Sequence, residues 1–413
     1  MAVTAEVESS PAATGKLRYN SPLVQVSLIG LVCFCCPGMF NALTGLGGGG
    51  QLDHSTADNA NTALYSCFAV FGVLGGAAHN LLGPRVTLLA GALTYPLYAA
   101  SFLYYNHHPS RQAFPVTAGA LLGVGAGLLW AAQGAIMTSY PPPSRRGSYI
   151  SLFWCLFNLG GVLGGLLPFS LNYHRAADAA SVNDATYIAF MAFMLLGAGL
   201  ALLLLPASRI VRDDGSRATR MSYSSVSTEG WEILKLFANW RMLLVLPAAW
   251  ASNFFYTYQF NNVNGRLFTC RTKGLNNVFY WGAQMLAAAA IGYFLDFGFG
   301  SSSRRRRGLC GVAAVAVLGT AIWPAASPTT SRTPTAIGGR GSSISRMGGG
   351  TRGPSCSTSA TDCWTPCSRA SSTGSSAPSP TTPKSSADML DSIRECKVLE
   401  QLWHGKLIPT RQA

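Results

Sequence analysis

Gly76-Ala-Ala-His-Asn80-Leu-Leu-Gly83-Pro-Arg85 joins two apolar runs, and Gly292-Tyr-Phe-Leu-Asp296-Phe-Gly-Phe-Gly300, followed by Arg304 to Arg307, joins two more. Both turns place a glycine, then an amide or carboxylate four residues later, then glycine and arginine. Glycine lets neighbouring helices approach closely, and the carboxamide or carboxylate can bond the start of the next helix or pair with an arginine. Such a bond can latch one state of a bundle. Gly76, Asn80, Gly83, Arg85, Gly292 and Asp296 are therefore candidate gating-turn residues. Recurrence of the pattern at the second and eighth apolar runs is what two related bundles in one chain would produce.

Outward from these turns, the chain is a series of long apolar runs. Hydrophobic residues make up 49% of its 413 residues and charged ones only 11%, against about 25% charged in a soluble domain. A membrane-spanning helix needs about 20 largely apolar residues. Nine stretches fit: Leu23–Leu46, Asn61–Leu82, Val86–Tyr105, Phe114–Thr138, Tyr149–Leu171, Tyr187–Pro206, Met242–Phe260, Asn277–Phe297 and Gly308–Trp323. This predicts an all-α, polytopic membrane protein with a first six-span half over 21–206. A polar linker, 207–240, follows, and a second half stops after about three spans, over 241–323. Residues 1–20 form a polar tail without a signal-peptide core, and 324–413 form a Ser/Thr/Pro/Gly/Arg-rich tail. Inside the linker, Trp231–Phe237 reads as an amphipathic helix for the membrane surface.

The net charge of +14 is distributed as loop charge, not as a basic-aromatic surface, which excludes a nucleic-acid partner. With the N-terminus in the cytoplasm, the inner loops hold Arg85, Arg145, Arg146, Arg209, Arg212, Arg217, Arg220, Lys235 and Arg304 to Arg307. The outer loops hold Arg111 and Arg175, with one dissenting group of Arg266, Arg271 and Lys273. The bias predicts a cytoplasmic N-terminus.

Polar residues inside the runs mark a candidate pathway. Trp250–Trp281 is dense in amides and phenols, and a carboxamide in hydrocarbon must find a partner. Gln133, Asn158, Asn253, Tyr256, Gln259 and Gln284 are the mid-span candidates, with Asn261 to Asn264 assigned to the outer mouth. The competing reading makes them an interfacial aromatic belt and helix-packing amides. Cys33, Cys35 and Cys36 lack metal-site spacing and read as small apolar packing. His79, His107, His108 and His174 fall at span ends and read as solvated. No phosphate loop, His-Glu-x-x-His or Gly-x-Ser-x-Gly occurs. The expectation is a non-enzyme without cofactor or metal. No mid-membrane carboxylate supports proton coupling.

The turn Gly76–Arg85 resembles the loop between spans two and three of the major facilitator superfamily, with Asn80 where that family has Asp. Leu129-Trp130-Ala-Ala-Gln133-Gly134-Ala-Ile-Met-Thr138-Ser-Tyr-Pro141, with Phe153–Gly165 and Trp250–Gln284, resembles the ion-channel-regulator-like Unc-ninety-three branch, fungal members above all. The resemblance covers about Tyr19 to Trp323. It implies a twelve-span facilitator plan, with a cavity lined mainly by spans one, four, seven and ten. Three functions follow as expectations. One is a secondary transporter of a small solute in the lipid bilayer. Another is a non-transporting regulatory subunit with a membrane partner protein. The third is a truncated product without function.

The tail breaks the plan, because a facilitator needs three more spans. A shifted reading frame accounts for it. Ser, Cys and Trp codons can begin with T, and T in the middle of a codon encodes only Phe, Leu, Ile, Met or Val. With permitted codon choices, Ser355–Pro378 read in the shifted frame gives an apolar run long enough to cross a membrane. Cys356, Cys363, Cys367 and His404 then carry no chemistry.

Overall fold

The computed structural model describes residues 18–51, 55–142, 145–173, 181–212, 215–218, 240, 243–244, 256, 259–260, 264–265, 268–297 and 304–331. Asn253, Trp231–Phe237, most of the expected seventh span and the tail beyond Ser331 lie outside the described residues. The helices are α1 (Pro22–Gly45), α2 (Ser55–His107), α3 (Ala113–Ser139), α4 (Arg146–Leu171), α5 (Asp184–Ala201), α6 (Cys270–Phe297) and α7 (Arg304–Ser331). Among the described residues there is no β-strand, only the isolated bridges Gln51–Ser181 and Val211–Arg217. Helices α1 to α6 are long and apolar enough to cross a membrane. The fold is the all-α bundle expected.

Helix α2 carries two of the expected spans. At 53 residues a straight helix would be about 80 Å long, far beyond a hydrocarbon core of about 30 Å. It breaks at Gly83, whose φ of 76° and ψ of 172° belong to a region open essentially to glycine alone. Pro84 follows and cannot extend the helix before it.

Ser21 caps α1, its hydroxyl accepting from the Val24 amide at 3.4 Å, and Pro22 occupies the first turn. Pro37 lies within a π turn, Phe34–Gly38, that divides α1. A proline removes one helical donor, and the wider turn absorbs the misfit. At this turn α1 meets α4 closely: a Cβ at Gly160 would stand 2.3 Å from the Phe34 carbonyl. Cys35 and Cys36 pack on Gly197 of α5, and the Cys36 thiol donates to Met194 O at 3.3 Å. That is the packing role expected of the cysteines.

Helix α3 lies along both limbs of α2. A Cβ at Gly123 would stand 2.2 Å from Leu64 O, and one at Gly125 would stand 2.1 Å from Thr94 Oγ1. The glycines of this run are thus a contact surface for a neighbouring backbone. Tyr95, Tyr98 and Phe102 of α2 are buried, and Phe40 of α1 meets the rings of Tyr95 and Tyr98 edge-on at 5.9 and 5.5 Å.

Helix α5 ends at Ala201, short of the expected Pro206. Pro206 disfavours helix at the residue before it, and the released backbone finds side-chain partners. Leu205 N donates to Gln25 Oε1 at 2.8 Å, Tyr140 OH donates to Leu205 O at 2.5 Å, and Arg85 Nε donates to Leu204 O at 2.5 Å. The hydroxyl of Tyr19 bonds Leu203 O as well. Burial pushes the Tyr140 phenol pKa up, so it stays a donor. At the other end of the chain, α7 begins four residues before the expected ninth span and continues eight beyond it.

Candidate functional site

Helices α4 and α6 form a seam in which each contact has a small residue. A Cβ at Gly292 would stand 2.2 Å from Ser151 Cβ, and the Ser151 hydroxyl donates to Ala288 O at 2.9 Å. The Cys155 thiol donates to Met285 O at 3.5 Å. A Cβ at Gly161 would stand 2.4 Å from Trp281 Cγ, and one at Gly165 would stand 2.9 Å from Asn277 Cβ. Numbers rise along α4 as they fall along α6, so the helices are antiparallel. This register sets Asn158 opposite Gln284, midway along the seam.

The two ends of the seam are held differently. At one end, Asp296 Oδ2 accepts from both the Ser148 amide and the Ser148 hydroxyl, each at 2.6 Å. The carboxylate thereby occupies the N-terminus of α4, where free amides and the helix dipole favour negative charge. Gly147 makes room for it, since a Cβ there would stand 2.6 Å from Asp296 Oδ1. Arg307 Nη1 donates to Asp296 O at 2.5 Å. The bond to a helix start expected of Asp296 is therefore present, but the helix is α4 from the first half, not the helix that follows.

At the opposite end the bonds are neutral. Asn264 Nδ2 donates to Gly45 O at 2.6 Å, Asn276 Nδ2 donates to Asn264 Oδ1 at 2.8 Å, and Asn277 Nδ2 donates to Ala42 O at 2.9 Å. Carbonyls in the last turn of a helix lack intrahelical partners, and these amides supply them at the end of α1. All three asparagines are buried. Asn276 and Asn277 belong to the amide-dense stretch Trp250–Trp281 but are not among the mid-span pathway candidates, and Asn264 is a residue expected at the outer mouth. The signal available was the paired asparagines, Asn261-Asn262 and Asn276-Asn277, in an apolar setting.

Among the pathway candidates, Gln133, Asn158, Gln259 and Gln284 are buried, and Tyr256 is half-buried. Asn253 lies outside the described residues. Tyr256 stacks on Phe260 at 5.5 Å and lies 6.4 Å from the Trp281 ring. Gln133 lies one turn beyond Trp130, whose ring meets Phe157 edge-on at 5.4 Å. Among the described residues, the buried Nδ2 and Oδ1 of Asn158, Nε2 of Gln284 and Nε1 of Trp281 have no hydrogen-bond partner. Such groups are costly, about 1–3 kcal/mol each.

The first gating turn differs from expectation. Among the described residues, a Cβ at Gly76 or Gly83 would meet nothing within 4 Å. The close approach belongs to Gly75, where a Cβ would stand 2.5 Å from Gly127 O. Asn80 is half-buried, and Arg85 holds the end of the first half through Leu204. His79 is half-buried with Nδ1 enclosed, not solvated, and His107 Nε2 lies 2.7 Å from Asp184 Oδ2. Among the described residues no group of three or more His, Cys, Asp or Glu is placed to hold a metal ion.

Residues 50–258 match the family model described as ion channel regulatory protein UNC-93. UNC93-like protein 1 of Arabidopsis thaliana is 64% identical over 76% of this chain and 68% of its own length. An UNC93-like protein of Schizosaccharomyces pombe is 42% identical over 68% of this chain and 55% of its own. Identity to the plant protein exceeds that to the fungal one, which corrects the expected nearness to fungal members. The crystal structure of the Escherichia coli fucose:proton symporter FucP aligns with a TM-score of 0.56 at 14% identity, covering 94% of this chain and 91% of that one. At that identity the likeness concerns the fold alone, a facilitator bundle. The chain belongs to the UNC-93 family and is a multi-pass integral membrane protein of the major-facilitator type.

Proposed function

We propose that this protein is a secondary transporter of a small polar solute. The observation that carries the reading is the buried carboxamide of Asn158 and the buried Nε2 of Gln284, unpartnered among the described residues and at the same level of the seam on helices of the two halves. A group without a partner in the resting state is free to bond something that passes. Gln133, Asn253, Tyr256 and Gln259 complete the proposed pathway, and Gly76, Asn80, Gly83, Arg85, Gly292 and Asp296 its gating turns. The N-terminus is proposed to be cytoplasmic, on the strength of the arginine-rich loops. The test is flux of a metabolite panel across membranes containing the protein, compared with a Gln133→Leu/Asn253→Leu double variant at equal abundance. At least a tenfold loss of the transported solute's flux is expected. Unchanged flux would overturn the reading.

A second reading is a regulatory subunit without transport, favoured by the description of the matching family model. It predicts a stable partner protein on purification from native membrane and no solute flux. We further propose that the chain after Trp323 is read out of frame. The match to the plant relative spans 76% of the chain, which agrees in extent with the residues before that point. Transcript sequencing across the Trp323 codon tests it, and a single open frame matching the present tail would refute it.

A further inference from the structure

The seam between α4 and α6 says what kind of solute it can take. Between its ends, Tyr149–Gly165 of α4 and Gly274–Leu295 of α6 contain no ionisable Asp, Glu, Lys, Arg or His. Helix α3, Ala113–Ser139, contains none either. A full charge brought to Asn158 would therefore meet no counter-charge on these helices, at a large desolvation cost. The unpartnered atoms narrow the choice. Asn158, 1% exposed, offers one acceptor and one pair of N–H donors on the same planar group. Gln284 Nε2 and Trp281 Nε1 add donors on the facing helix. A carboxamide edge is self-complementary: a second amide or a lactam meets it with two parallel hydrogen bonds. A carboxylate has no donor, and an ammonium has no acceptor. Flat apolar surface lies beside these atoms. Trp281 lies one turn from Gln284, against Gly161.

Resting on the transport reading, we infer that Asn158 and Gln284 bind one neutral group of the solute, and that the solute is a planar ring bearing a carboxamide or lactam edge. The Asn158 amide bonds that edge, Gln284 and Trp281 donate to its remaining acceptors, and the indole of Trp281 gives the ring a flat apolar neighbour.

The matched probes are nicotinamide and its anionic counterpart nicotinate, added to the full-length protein in detergent. Thermal unfolding and tryptophan fluorescence are the readouts. Nicotinamide is expected to raise Tm and change the fluorescence saturably, and nicotinate to do neither. Gln284→Leu should weaken the nicotinamide response at least tenfold. Asn158→Leu should abolish it while raising the unliganded Tm by roughly 2–4 °C, because it removes a buried amide that bonds nothing. An amide with a structural role would lower Tm instead. The inference is overturned by an equal response to nicotinate, by no saturable response to nicotinamide, by Asn158→Leu binding nicotinamide within twofold of the parent, or by a fall in Tm on that substitution. Saturable binding without flux into vesicles removes the transport reading and leaves the site. Flux of other solutes without a nicotinamide response removes the site and leaves transport.

Discussion

The two glycine turns share a sequence pattern and differ in surroundings. At the second turn, Gly292 presses on Ser151, and Asp296 caps α4 through Ser148. At the first, a Cβ at Gly76 or Gly83 would meet no described residue within 4 Å, and Asn80 stands where the second turn has its carboxylate. Val70, Leu74 and Leu81 on the same limb of α2 are exposed, a stripe suited to lipid. The pattern is thus a means of joining halves only where a partner helix brings its N-terminus to the carboxylate. Without that helix the same glycines serve the turn itself. Gly83 supplies a backbone conformation, and the contact moves to Gly75 on the other side of the helix.

Added volume at the second turn should have the largest effect. In Gly292→Val the new Cβ would stand 2.2 Å from Ser151 Cβ, an atom fixed to the backbone of α4, so no side-chain rotation relieves it. Overpacking of this kind costs about 1–3 kcal/mol or more, and α4 and α6 must move apart. Thermal unfolding of the purified protein should show Tm lowered by several degrees. A Tm equal to the parent's would mean that the seam is not a load-carrying contact between the halves.

The sequence made part of this legible. Apolar length and glycine spacing were enough for α1 to α6, and the Gly-Asp-Arg pattern singled out Asp296, because these signals are local. The partner of Asp296 was not legible, since it lies 148 residues away and no local rule selects α4 over the adjacent α7. Nor were the asparagines that close the opposite end, because they bond backbone carbonyls, which every residue has. At the first turn the close contact lies one residue from Gly76, at Gly75, and one residue on a helix is a rotation of about 100°. The π turn of α1 was signalled by Pro37-Gly38, but a proline inside an apolar run does not say whether the helix kinks, widens or stops.

A smaller effect separates charge from geometry at the second turn. Asp296→Asn keeps an acceptor oxygen near Ser148 and loses the negative charge at the α4 N-terminus. Charge at such a position is worth 0.3–1 kcal/mol when exposed and up to about 2 when partly buried, and Asp296 is half-buried. A loss of about 1 kcal/mol is expected. Ser148→Ala removes one of the two bonds to the same oxygen, so the double variant should lose less than the sum of the singles. Additive losses would show that the carboxylate acts on α4 without Ser148.

The smallest effect should have the opposite sign. Gly76 is absent from the positive-φ glycines, so it has ordinary helical backbone, and a Cβ there meets no described residue within 4 Å. Alanine then restricts the unfolded chain without straining the folded one, and Gly76→Ala should stabilise the purified protein by about 0.4–1 kcal/mol. The same substitution is informative in the native membrane. If another helix packs on this limb there, it approaches through the glycine, and an added methyl group pushes it away. Stabilisation in detergent combined with lower abundance in the membrane would identify a covering helix, the arrangement a regulatory subunit requires. Stabilisation in both settings would leave the first turn facing lipid, and the contrast between the two turns would hold as a property of this chain alone.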